Sequence, residues 1–272
     1  MKPISILAPV LATVMTLTTQ AGPIYRTDAG TGSAIIVPFW TVDGSQDSLL
    51  TINNDGDRPS AVRVRVLNDT GDLLLALGVY LGADDQWTAA FTSNGNQADL
   101  LSADASCVLL EDGSGVSGDG VVAVTVATLP AAAGSIEIFE MATAALDTLP
   151  SLTGRWPECA ALASRFTEGN WSDNPNSGLA APADGLSANL SILRVGEGTM
   201  STLQGTVLAG FSDVALHAPP VKQEPDFSNA TDTGSGNGTV RSRVCFDVGC
   251  RIDAWADPLE AVAAVLSTIS RA

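Results

Sequence analysis

One histidine, His217, is all that the 272 residues contain. Imidazole is the commonest proton shuttle and metal ligand near neutral pH, so this scarcity weighs against most hydrolase and zinc-enzyme layouts. Bases are sparse as well: 13 Lys and Arg face 30 Asp and Glu, a net charge of -17. That balance repels nucleic-acid phosphates and anionic headgroups, and nucleic acid is not an expected partner. Beyond the N-terminus no apolar run approaches the roughly 20 residues of a bilayer-spanning helix. The mature chain is therefore expected to hold no transmembrane segment.

What is present is the period of a β-strand. In LLTINNDGDRPSAVRVRVLNDTGDLLL, from Leu49 to Leu75, Val62, Val64 and Val66 alternate with Arg63 and Arg65, as on a strand with one dry and one wet face. Asn53-Asn54-Asp55-Gly56-Asp57 and Pro59 precede it with turn chemistry. Further strands are expected over Ser33 to Val42, Leu73 to Leu81, Gln86 to Phe91, Val121 to Leu129, Gly134 to Met141, Ala188 to Val195, Gly205 to Phe211 and Val240 to Phe246. Pro38 cannot donate to a ladder and implies an edge or a bulge. Helical spacing is confined to Pro157 to Phe166 and to the C-terminal run in which Leu259, Val262, Leu266 and Ile269 recur. Glu111 to Gly120, Glu168 to Gly185 and Pro219 to Gly238 lack an apolar period and read as surface loops. The expected fold is mainly β: an antiparallel immunoglobulin-like β-sandwich with long loops and one or two short helices.

Residues 1–21 read as an export signal, with Lys2, an apolar stretch from Ile4 to Leu17, and Thr19-Gln20-Ala21 before Gly22. One exported domain, 22–272, follows. In an oxidising compartment Cys107, Cys159, Cys245 and Cys250 should pair. Three connectivities remain open, and the expected one joins Cys107 to Cys159 and Cys245 to Cys250. Zinc competes poorly, because the cysteine spacing matches no usual site and His217 is distant from any pair.

Two Asp-Thr-Gly triplets, at Asp69 and Asp232, invite comparison with aspartic proteases. Polar residues precede both aspartates and little chain follows the second, so turn chemistry is the better reading. No cofactor is expected. Calcium is a weak possibility, at Asp112 to Asp119 and Asp55-Gly56-Asp57, where the oxygen ligands fall short of six to eight. No metal ligand set is assigned. Of the dispersed tryptophans, Trp156 and Trp171 have the polar surroundings of an exposed ring, and with the loop carboxylates Asp84, Asp85 and Glu168 they are the candidate ligand contacts.

The succession GTGSAIIVPFWTVDG, SLLTINND, AVRVRVLNDTGD, VYLGADDQWTAAF, DASC and GSIEIFEM, continuing through CAALASRFTEGNWSDNPNSGLAAPADGL, SILRVGEGTM and DPLEAVAAVL, resembles a family of exported, functionally uncharacterised proteobacterial proteins. The resemblance covers most of the mature chain. It implies bacterial export and supports a Cys107 to Cys159 bond, and it brings no activity with it. Similar proteins continue past the C-terminal helix with further strands, so it also implies a shortened member ending at Ala272.

The expected function is that of an exported, non-enzymatic cell-envelope or surface protein with a structural or adhesive role, in the periplasm, at the cell surface or outside the cell. Expected partners are other envelope or surface proteins, or a second copy through a sheet edge. The alternative is a secreted glycan-binding module or hydrolase using the carboxylates and tryptophans named above.

Overall fold

A computed structural model of the protein describes residues 24–145, 155–227, 240–246 and 249–255, the last two segments by their backbone alone. The expected export signal, the C-terminal helix and the Asp232 triplet lie outside the described residues. In chain order the elements are β1 (Tyr25–Arg26), β2 (Ala34–Thr41), β3 (Asp47–Asn54), β4 (Ser60–Asn68), β5 (Leu73–Leu81), β6 (Asp85–Asn94), β7 (Gln97–Ser102), β8 (Cys107–Leu109), β9 (Gly115–Val116), β10 (Val124–Leu129) and β11 (Ala133–Ala144). Then come α1 (Cys159–Thr167), α2 (Asn170–Asp173), β12 (Leu179–Ala180), β13 (Leu186–Arg194), β14 (Thr199–Gln204), β15 (Thr206–Ala209), β16 (Val240–Phe246) and β17 (Gly249–Trp255), with a 3-10 turn over Val195–Glu197. Among the described residues the fold is mainly β, with two sheets, two short helices and a disulfide.

An 11-stranded sheet runs β17-β16-β1-β15-β2-β11-β4-β5-β8-β9, with β12 also on β11, and a 6-stranded sheet runs β10-β7-β6-β3-β13-β14. Along the central ladders the strands are antiparallel. Both sheets contribute to one core: Ile35, Val64, Leu77 and Ile138 from the larger, Leu50, Ile52, Trp87 and Leu190 from the smaller. Across it Trp40 stacks on Phe91 with ring centroids 4.8 Å apart. Each large apolar side chain so buried stabilises by about 1.5–3 kcal/mol. The smaller sheet keeps the simple alternation of a half-wet surface, with Leu50 and Ile52 inside and Leu49 exposed.

The larger sheet does not, and here the wet arginine face is corrected. Arg63 is 0% exposed, and the side chain of Arg65 is 13% exposed. Their face is covered by two apolar clusters. One joins Ala61, Tyr80 and Met141 to Leu162 of α1 and Trp171 of α2. The other joins Ala34, Ile36 and Phe139 to Phe211 and Phe227. Alternation shows only that the two faces of a strand differ. It does not show that either is wet. For the same reason Glu168 to Gly185 and Pro219 to Phe227 are not simple surface loops: the first contains α2 and β12, and the second ends on the buried Phe227.

Pro38 lies at a bulge. The β2 pairing with β15 stops at Ile36, and the register against β11 slips between Gly134 and Ile136, so Pro38 needs no ladder donor. A Cβ on Gly134 would stand 1.9 Å from the Leu67 carbonyl oxygen, which makes glycine obligatory at this approach. The strand expected from Val121 begins only at Val124, because Asp119 Oδ1 takes the N–H groups of Val121 and Val122 into a turn.

Candidate functional site

The lone histidine sits in the densest aromatic cluster among the described residues. Tyr80 projects from β5 and meets Trp156 edge-on at 5.3 Å, Trp171 at 6.1 Å and His217 at 5.9 Å. Phe166 of α1 closes on Trp171 and His217. His217 Nδ1 lies 2.6 Å from the Pro175 carbonyl, so this nitrogen carries the proton and donates it. Its Nε2, 2.9 Å from the Tyr80 hydroxyl, then accepts the phenolic proton. Burial pulls the imidazole from 6.5 down to about 4, opposed by the Pro175 hydrogen bond and aided by the charge of Arg63. The Tyr80 hydroxyl is pushed well above its ordinary range by burial, with Arg63 opposing. Both ring nitrogens of His217 are engaged, and the pair acts as a brace that pins the covering chain to the sheet.

A pH dependence follows. Between pH 6.5 and about 4 the unfolded chain takes up a proton at His217 that the folded chain refuses. This group therefore withdraws stability as pH falls through that window, by about 3 kcal/mol in full. Glu137 and Glu140 act in the opposite sense, since burial raises both and the folded form protonates first. Urea titrations at stepped pH should show His217→Gln losing stability less steeply between neutrality and pH 4 than the wild type. Parallel slopes would refute the assignment.

Beside the cluster a groove of about 410 Å³ opens between the β5–β6 turn, the Asp104 loop and the start of α1. Asp85, Asp104, Arg155, Trp156, Glu158 and the Cys107–Cys159 pair line it. Asp85 accepts from the N–H of Gly82 at 2.8 Å and of Gln86 at 2.9 Å, which holds its carboxylate rigidly. Asp104 accepts from the Ser106 N–H at 2.8 Å. The Trp156 indole donates to the carbonyls of Leu81 at 2.8 Å and Ser60 at 3.3 Å. Such a groove presents fixed carboxylate oxygens, which suit a ligand rich in hydroxyl or other donors.

Of the candidate contacts, Asp85 and Trp156 thus share one groove. Asp84 stands exposed in the turn at φ 50°, its N–H given to the Gly56 carbonyl. Glu168 is exposed at the far end of α1. Trp171 is corrected: it is 1% exposed, donates to the Ser177 carbonyl and lies beneath the Arg165 guanidinium at 5.1 Å. Its polar neighbours face water while the ring turns inward onto Tyr80. Asp104, Arg155 and Glu158 were not singled out in the sequence, where nothing marks them apart from other surface charges.

Cys107 and Cys159 are bonded, tying α1 to β8. Backbone register sets Cys245 opposite Cys250, while the side chains of both lie outside the described residues. Asp69-Thr70-Gly71 is a turn in which Asn68 Oδ1 accepts from the N–H groups of Thr70 and Asp72. Asp112 likewise accepts from the Ser114 hydroxyl and then its N–H, and Asp119 from the N–H groups of Val122 and Val121, which hold both carboxyls below their usual range. Among the described residues no group of three or more His, Cys, Asp or Glu side chains is arranged to hold a metal ion, and no helix is long and apolar enough to cross a membrane. No family model, curated protein or solved structure matches the chain.

Proposed function

We propose that the protein is an exported, non-enzymatic component of the cell envelope or surface with a structural or adhesive role. One observation carries this reading: the strongly perturbed groups are engaged in internal bracing. His217 and Tyr80 bond each other. Glu140 accepts from Ser60 at 2.7 Å and from the Ala183 N–H at 3.0 Å. Arg63 donates to three carbonyls. A catalytic site turns shifted groups toward a cleft, whereas these lock layers together. The export-signal pattern read in residues 1–21, the disulfide and the resemblance to exported proteobacterial proteins support the compartment. The shared two-sheet core supports an immunoglobulin-like sandwich as the finer description.

Fractionation of a Gram-negative host expressing the full chain tests this reading. The expected result is a periplasmic or surface-exposed protein shortened by residues 1–21. Cytoplasmic retention with those residues attached would overturn it.

A second reading is favoured by the groove itself, since Asp85 and Trp156 line it together. It would bind a glycan. Glycan-array binding that disappears in Asp104→Ala and Glu158→Ala, at unchanged melting temperature, would establish it. A silent array removes it.

A further inference from the structure

We propose that β14 is a pairing edge for a second copy of this chain, joining two 6-stranded sheets antiparallel about a two-fold axis at Thr202. The inference rests on the reading of the protein as a structural, non-enzymatic component and names its partner.

Register defines what the edge offers. Asn189 stands opposite Gln204, and the Gly205 N–H donates to the Ala188 carbonyl at 2.9 Å. In an antiparallel ladder hydrogen-bonded and non-bonded pairs alternate, so Thr199, Ser201 and Leu203 turn their amides toward β13. Met200, Thr202 and Gln204 turn theirs away from it. Among the described residues no strand lies on that side, and every residue of β14 except Leu203 is exposed, Met200 by 66%.

The other sheet ends are blunted in the ways that normally prevent such pairing. β10 is bulged between Thr125 and Ala127, and β9 has only two residues. β17 carries Arg251 and Asp253. By contrast β14, TMSTLQ, has no charge and no proline, and its register against β13 is unbroken.

Charge selects the partner. In a chain of net charge -17, the hairpin from Leu186 to Gln204 carries only Arg194 and Glu197, which approach each other at 3.5 Å. Two copies can meet here with no like charges opposed at the contact itself, where the mutual repulsion of two acidic chains is weakest, and nothing on the hairpin would steer a basic protein to it. Pairing Thr202 with Thr202 places Met200 opposite Gln204 of the second copy and forms about six inter-chain hydrogen bonds. It also extends cover over Ile192 and Leu203, which are only partly buried at this end of the core.

Sedimentation velocity on the purified mature protein, from low micromolar to near-millimolar concentration, tests the proposal. The wild type should dimerise, with the amides of Met200, Thr202 and Gln204 gaining hydrogen-exchange protection as the dimer forms. Thr202→Pro removes an outward N–H without touching the β13 ladder, and Thr202→Lys sets two like charges at the axis. Both variants should remain monomeric with wild-type circular dichroism, while Thr202→Val still dimerises. A wild type that stays monomeric throughout overturns the pairing, as does a dimer that survives both substitutions. So does a monomer whose edge protects only when an extended peptide from another protein is added. Each of these leaves the fractionation result untouched, so failure here is separable from failure of the exported, structural reading.

Discussion

Arg63→Met is expected to lower folding stability by about 4 kcal/mol. Arg63 Nε donates to the Glu224 carbonyl at 2.9 Å, and one terminal nitrogen donates to Ala218 at 3.1 Å and Pro219 at 3.2 Å. All three acceptors lie on the chain that covers the outer face of the larger sheet. Methionine would fill much of the volume and leave them without this donor, at about 2 kcal/mol each. Part of that loss is offset, because the guanidinium is itself poorly placed. Burial pulls it down to about 10, so it remains ionised at neutral pH, and its Nη1 has no hydrogen-bond partner among the described residues. Relief of this desolvation returns about 2 kcal/mol. Arg63→Lys should lose less, since an ammonium can still serve one or two carbonyls without the planar fork that reaches all three. Urea midpoints measure the loss, and limited proteolysis at Lys222 reports whether the cover has lifted. A methionine variant within about 0.5 kcal/mol of wild type would mean that the carbonyls find other donors.

The same residue marks how far sequence reading reaches. Val62, Val64 and Val66 identify a strand and its core-facing side from local pattern alone, and the Asn68 to Asp72 turn is legible because all its bonds span four residues or fewer. The partners of Arg63 lie 155 to 161 residues away, and no local period encodes a cover that arrives from so far. Trp171 misleads for a related reason. Its flanks, Gly169-Asn170 and Ser172-Asp173, are polar because they form the outer turn of α2, whereas the ring is recruited by Tyr80. The groove is assembled from Asp85, Asp104 and Glu158 on three separate segments, brought together by β5 and the disulfide. β14 escapes the pattern because a sheet edge buries little, so its sequence needs no apolar alternation. Pro38 was readable as edge or bulge, and the register slip on β11 decides between them.

Replacing both Cys107 and Cys159 by serine should have a comparable effect through the unfolded state. The bond spans a sequence separation of 52, and on the chain-entropy model closing such a loop stabilises by about 4 kcal/mol. The folded state should suffer too. α1 has nine residues and no side-chain hydrogen bond at its N-cap, so in isolation it would be marginal. What holds it is the bond at its first residue together with Leu162, packed among Tyr80, Leu109 and Trp171, and Phe166 against Trp171 and His217 at its last turn. Once the bond is gone, the first turn of α1 can lift while Leu162 and Phe166 hold the rest, and the rings beneath that turn gain access to water. The double serine variant should therefore combine a lower urea midpoint with a red-shifted tryptophan emission that appears before global unfolding. Adding reductant to the variant separates the second cysteine pair, because any further drop must come from Cys245 and Cys250. Equal midpoints for wild type and variant would show that the packing around Leu162 holds the helix without the cross-link, and the aromatic brace through His217 would then be the dominant fastening of the outer layer.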